Sequence, residues 1–155
     1  MTFLRWTEKM SVGSPDLDED HKQLFYLTNR LSDIAEGEAG SEDARQALYG
    51  LVRYAQFHFA REENVMAVCG FPEQEEHKAG HVRFVGTVDT FLKRFEKDPE
   101  AEAPAVCREL FDFLKDWLTH HILIQDMAYK SYVEAKPAEA VQAANAVRGA
   151  DLGWS

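Results

Sequence analysis

Five of the six histidines in this chain, with one glutamate and one aspartate, recur at spacings that would let separate helices bring them to one point. They are His21, then His58 and Glu62, then His77 and His81, then His121 and Asp126. Imidazole is a borderline donor suited to iron, zinc, copper or nickel. Two carboxylates are enough to bridge a pair of cations and too few for a hard, all-oxygen cage. Both His58/Glu62 and His77/His81 are four apart, so each pair projects from one helix face. His121 and Asp126 are five apart, about 140° around an α-helix at about 100° per residue, and would approach a shared point from either flank. His120, the sixth histidine, lies outside this set and points about 100° away from His121 on the same helix.

Glu62 and Asp126 fall on apolar helix faces, where an unpaired ionised carboxylate is costly to bury. Five imidazoles and two carboxylates on such faces have no inexpensive explanation without cations. Seven donors are too many for one four-coordinate zinc. The carboxylate-rich di-iron bundles rely on Glu-x-x-His pairs. Here only Asp18, three before His21, has that spacing, and the other three helices have no such pair on their inner stripes. A histidine-rich di-iron site fits this donor set better.

The elements that must carry these side chains are long helices. Segment 1–15 reads as irregular, with Trp6, Gly13 and Pro15. Helical spacing starts near Asp16 to Asp18, where acidic residues suit a first turn, and continues through Leu17, His21, Leu24, Leu27, Thr28, Leu31 and Ile34. EGEAGS at 36–41 breaks it, and Ser41 is placed to cap the next helix. A second helix is expected from about Glu42 to Val68, ended by CGFP. A third should run from about Glu73 to Lys97, with His77, His81, Phe84, Val88, Phe91, Leu92 and Phe95 inside. DPEAEAP at 98–104 reads as a turn, with Pro104 just inside the start of a fourth helix. That helix carries Leu110, Phe113, Trp117 and His121 to about Val133. Short links make sequential helices neighbours, which gives an all-α, antiparallel up-down-up-down four-helix bundle. The domain expected is 1–136. Residues 137–155 form a C-terminal extension, either a short peripheral helix through 138–148 followed by a frayed end or a loosely ordered segment.

Composition narrows the function classes. A chain of 155 residues suggests one domain able to bury a sizeable core. A net charge of -10 repels phosphate, so nucleic acid and anionic membranes are poor partners, and neither nucleic-acid binding nor membrane insertion is expected. No apolar run nears the roughly 20 residues of a membrane span, and no secretory leader is evident. Cys69 and Cys107 form no metal motif; they read as two free thiols in a reducing, cytoplasmic compartment, the alternative being a single disulfide between them.

The chain closely resembles the hemerythrin family, and within it the single-domain bacterial members, over roughly residues 6–133. The matching signatures are DLDEDHKQLF at 16–25, HFAREE at 58–63, HKAGH at 77–81 and WLTHHILIQD at 117–126. The resemblance implies a non-haem di-iron centre (Fe2+/Fe3+) that binds dioxygen reversibly. It implies that His77, His81 and His121 hold one iron and His21 and His58 the other. Glu62 and Asp126 would bridge them together with an oxo or hydroxo group, leaving an open position on the second iron. Phe59, Trp117, Leu118 and Ile122 neighbour these ligands in sequence and should form the apolar walls of the oxygen pocket.

Five neutral imidazoles limit the negative charge available to stabilise high-valent iron, and a dry pocket without a positioned proton donor hinders turnover. The expectation is therefore an oxygen-binding protein rather than an enzyme, a monomer serving carriage, storage or sensing, with an oxygen-consuming protein as partner. The rival readings are a di-iron oxidase, peroxidase or nitric-oxide-processing enzyme on the same bundle, and an iron-dependent interaction module.

Overall fold

Ser14 is buried and its hydroxyl accepts the Leu17 N–H, which opens the first helix with Pro15 at its first position. Proline costs nothing there, because the N–H it lacks would have no helical partner. In the computed structural model, which describes residues 3–37 and 40–148, this helix is α1, Pro15–Glu36. It is followed by α2, Ser41–Cys69, and α3, Gln74–Lys97. Next comes α4, Pro99–His120, which continues through a six-residue π-helical segment, His121–Asp126. A 3-10 turn, Met127–Tyr129, leads into α5, Lys130–Ala135, and then α6, Pro137–Ala146. Among the described residues there is no strand, and no helix is long and apolar enough to cross a membrane.

The four long helices form the expected antiparallel bundle, α1 packing on α2 and α4, and α3 on α2 and α4. One apolar cluster, with Leu24, Leu31, Leu48, Leu51, Phe84, Phe95, Leu110 and Leu114, fills one end. A second, with Val12, Leu17, Val65, Met66, Phe71, Tyr129 and Val133, fills the other. Five of the six histidines, with Glu62 and Asp126, are buried with them. Both cysteines are free and buried.

Three boundaries differ from the sequence expectation. Ser41 is the first helical residue of α2 rather than its cap; Gly40 takes the cap position, and the Ser41 hydroxyl donates to Glu100 across the bundle. The fourth helix begins five residues before Pro104. The Asp98 side chain accepts the Ala101 N–H and Pro99 occupies the first position, so the local start signal at 98–99 prevails over the one at 104. Pro104 then sits inside the helix, at the cost of one backbone bond. The segment after His120 is not plain α-helix but a π-helical stretch, His121–Asp126. Where α2 stops, Gly70 has φ 76°, the left-handed conformation that a helix C-terminus favours and that glycine adopts without strain.

The irregular arm before α1 includes a 3-10 turn, Glu8–Met10. Asp18 ties it down, accepting from the Val12 N–H and the Ser11 hydroxyl. Beyond the bundle, α6 lies on α2 with Ala140, Ala143 and Ala144 buried, and Asn64 donates to the Ala143 carbonyl. This is the short peripheral helix expected there; the frayed end expected after it lies outside the described residues.

Candidate metal centre

Each of the four bundle helices delivers its donors to one buried level. α1 supplies His21, α2 His58 and Glu62, α3 His77 and His81, and the π-helical segment His121 and Asp126. All seven are buried, with exposures of 6% or less. The π-helical segment answers the question posed by the five-residue spacing. A wider turn closes on residue i+5, so Asp126 returns over His121 instead of standing on the opposite flank. Their Nε2 and Oδ1 atoms are 2.9 Å apart.

The donors divide into two groups whose ligand atoms lie within 4.8 Å of one another: Glu62, His77, His81 and His121, and His21, His58, Glu62 and Asp126. The carboxylates straddle the division. Glu62 Oε1 lies 2.6 Å from His77 Nε2 and 2.9 Å from His81 Nε2, while its Oε2 lies 3.1 Å from His58 Nε2. Asp126 Oδ1 lies 3.1 Å from His77 Nε2, and its Oδ2 lies 3.1 Å from His21 Nε2.

These atoms are close, yet many are misaligned for hydrogen bonding to each other. His21 Nε2, His58 Nε2, His121 Nε2 and both Asp126 oxygens are buried without a hydrogen-bond partner. Buried polar atoms are seldom left so. The charge balance points the same way. Burial by itself would lower the imidazole pKa values. Nearby carboxylates outweigh it: Glu62 with Asp20 takes His58 up to about 9, and Asp126 with Glu62 takes His77 up to about 9 and His121 to about 10 and raises His21. Burial would likewise raise the two carboxylic acids, but the surrounding imidazoles hold both well below the usual range. Two anions can neutralise only two imidazolium ions, and five imidazoles converge on them. Cations held by neutral imidazoles satisfy every one of these atoms at once, so the donor set fits a pair of metal ions.

Residues 12–133 match the family model described as the hemerythrin HHE cation binding domain. The chain belongs to the hemerythrin family. It is 33% identical over 130 residues to a bacteriohemerythrin of Methylococcus capsulatus, covering 83% of this chain and 95% of that one. It is 30% identical over 142 residues to a bacteriohemerythrin of Pseudomonas aeruginosa, covering 92% and 89%. A crystal structure of hemerythrin superposes with a TM-score of 0.74 at 28% identity, covering 86% of this chain and 99% of that one. The two histidine–carboxylate clusters suggest a di-iron site of the kind typical of hemerythrins.

Around the donors of this hemerythrin-family chain lies a ring of side chains that spacing alone did not single out. Asp20 is buried and accepts from His58 Nδ1 at 3.0 Å and from the Tyr54 hydroxyl at 2.9 Å, with Arg61 Nε at 3.0 Å. Glu63 accepts from His81 Nδ1 at 2.8 Å, and Gln125 from His121 Nδ1 at 2.7 Å. The Tyr129 hydroxyl, fully buried, donates to Glu62 Oε2 at 3.0 Å. Asp20 and Glu63 each adjoin a ligand in sequence, the one signal that could have flagged them; Tyr129 stands three residues after Asp126 and carries none. Asp18 holds the N-terminal arm and not the donor cluster, and His120 is exposed, as its angle on the helix predicts.

Of the expected pocket residues, Phe59 stacks on His81 with ring centroids 3.9 Å apart, and Trp117 on His121 at 4.3 Å. Leu118 and Ile122 are buried in the same apolar cluster as Phe59.

Proposed function

We propose that this chain binds dioxygen reversibly at two iron ions. His77, His81 and His121 would hold one, His21 and His58 the other, with Glu62 and Asp126 shared between them. The observation that carries this reading is the division of the two carboxylates, each with one oxygen toward each histidine group. A shared carboxylate sets two cations side by side, which a single-ion site would not need. The three-histidine side is the richer in donors, so the two-histidine side is where an exogenous ligand finds room. Two ferrous ions held there would supply the electrons that reversible dioxygen binding draws upon.

The protein's own residues favour binding over turnover. Phe59 and Trp117 stack on His81 and His121 and lay apolar rings, with no group that can give up a proton, against them. Among the described residues, the hydroxyl seen bonded to one of these carboxylates is that of Tyr129, committed to Glu62. Burial, and then the charges of Glu62 and Asp126, push its pKa well up, so it holds its proton at neutral pH. An oxidase or peroxidase needs a positioned group that gives protons up.

Anaerobic reduction followed by cycles of oxygen addition and removal, watched by visible absorption, tests the proposal. Repeated appearance and loss of the oxygenated band supports a carrier. Rapid irreversible oxidation, with many turnovers of peroxide or nitric oxide, refutes it in favour of an enzyme.

A further inference from the structure

The π-helical segment does more than return Asp126 to His121. It sets Gln125, the preceding residue, against the other side of the same imidazole. Asp126 Oδ1 stands 2.9 Å from His121 Nε2, and Gln125 Oε1 stands 2.7 Å from His121 Nδ1. A neutral imidazole carries one N–H. If Nε2 is to offer its lone pair to a metal, the proton must sit on Nδ1, and the amide must present its oxygen to it. Gln125 meets that requirement, while the indole of Trp117 fixes the ring plane by stacking at an interplanar angle of 12°.

The outward nitrogens of the ligand imidazoles are not all treated alike. His58 and His81 face the carboxylates of Asp20 and Glu63, His121 faces a neutral amide, and His21 Nδ1 has no partner. An anionic acceptor draws the N–H proton toward itself and makes the imidazole a stronger donor. A neutral amide does so less. We infer that Gln125 is a positioning residue for His121, fixing its tautomer and holding its donor strength below that of its carboxylate-backed neighbour His81. The inference rests on the iron-binding reading above.

Gln125 also lines a surface cavity of about 320 Å³ together with Glu73, Glu76, His77 and Arg83. Water from that cavity could replace a truncated side chain as acceptor, so the informative substitutions keep the volume. Gln125→Leu removes the acceptor and fills the space; Gln125→Glu restores an acceptor and adds charge.

The readouts are the rate at which a chelator strips ferrous iron and the reduction potential of the iron pair, each against wild type. Loss of such a partner typically weakens metal holding about 10- to 100-fold. We expect Gln125→Leu to release iron faster by a factor in that range. Gln125→Glu should retain iron as wild type does and shift the potential to more negative values. Wild-type release by the leucine variant would overturn the inference. So would a glutamate variant with unshifted potential, which stands as a test even if the leucine variant fails to fold. A wild-type protein that takes up no iron would be a different result, overturning the proposed function and this inference together.

Discussion

Replacing Glu62 with glutamine changes one oxygen for a nitrogen and removes one charge at the most connected side chain of the site. Glu62 is fully buried. Its Oε1 meets His77 at 2.6 Å and His81 at 2.9 Å; its Oε2 meets His58 at 3.1 Å and accepts from Tyr129 at 3.0 Å. Glutamine can place only one acceptor oxygen. Its NH2 group must then face either the imidazoles of one cluster or the Tyr129 hydroxyl. In the metal-free protein, removing one partner of a buried ion pair costs about 3–5 kcal/mol, because the imidazolium ions left behind are undercompensated. For metal binding the loss should exceed the roughly 10- to 100-fold typical of outer partners, since Glu62 would touch both ions directly. The assay is titration of metal-free variant and wild type with ferrous iron under anaerobic conditions, with urea unfolding of both metal-free proteins. The fitting control is Glu75→Gln, an 88% exposed residue on α3. Glu63 would be a poor control because it holds His81. Two tight irons in Glu62→Gln, at wild-type affinity and with unchanged metal-free stability, would refute the reasoning.

Three further outcomes follow from the same geometry. The metal-free protein should be most stable between about pH 4.5 and 6.5. The raised histidine pKa values stabilise the fold fully below about 6.5 and that stability is lost as pH climbs through about 9 to 10. The lowered Glu62 and Asp126 values stabilise it above the ordinary carboxylate range and lose effect as pH falls. Urea unfolding in chelator across pH 4–10 reads this, and a maximum above pH 9 would contradict it. His120→Asn should leave iron content unchanged, because His120 is exposed; loss of one iron by elemental analysis would mean the wrong histidine of the pair had been assigned. Truncation after Lys136 should leave folding and iron binding in place. It should nonetheless lower stability by about 2 kcal/mol, at about 0.8 kcal/mol for each buried alanine methyl of α6. Thermal unfolding with iron counting checks this, and an unfolded or iron-free product would place α6 within the essential core.

The bundle was legible because its helices carry long apolar stripes at three- and four-residue spacing, and the donors lie on those stripes. His58/Glu62 and His77/His81 declare themselves through that same periodicity. His121 and Asp126 were legible as residues but not as geometry. Nothing local in HILIQD announces a π-helical turn, and the wider turn is what lets both side chains reach one point. Pro104 misled because a proline near an acidic run is a good helix start in isolation; Asp98 and Pro99 offered a better one five residues earlier. Ser41 misled for a similar reason, its hydroxyl being used across the bundle instead of along the chain. The outer partners Asp20, Glu63, Gln125 and Tyr129 are polar residues of ordinary type. Their roles arise from which imidazole nitrogen each one faces, and that depends on how the helices pack.

The claim on which everything else depends is that two ions share Glu62 and Asp126. Stepwise addition of ferrous iron to metal-free protein under nitrogen, followed by its near-infrared circular dichroism, tests it most directly. The signal should saturate at two iron ions per chain, with no saturation at two in Glu62→Gln. A signal complete at one ion, or a protein that holds a single zinc and takes up no iron, would contradict it.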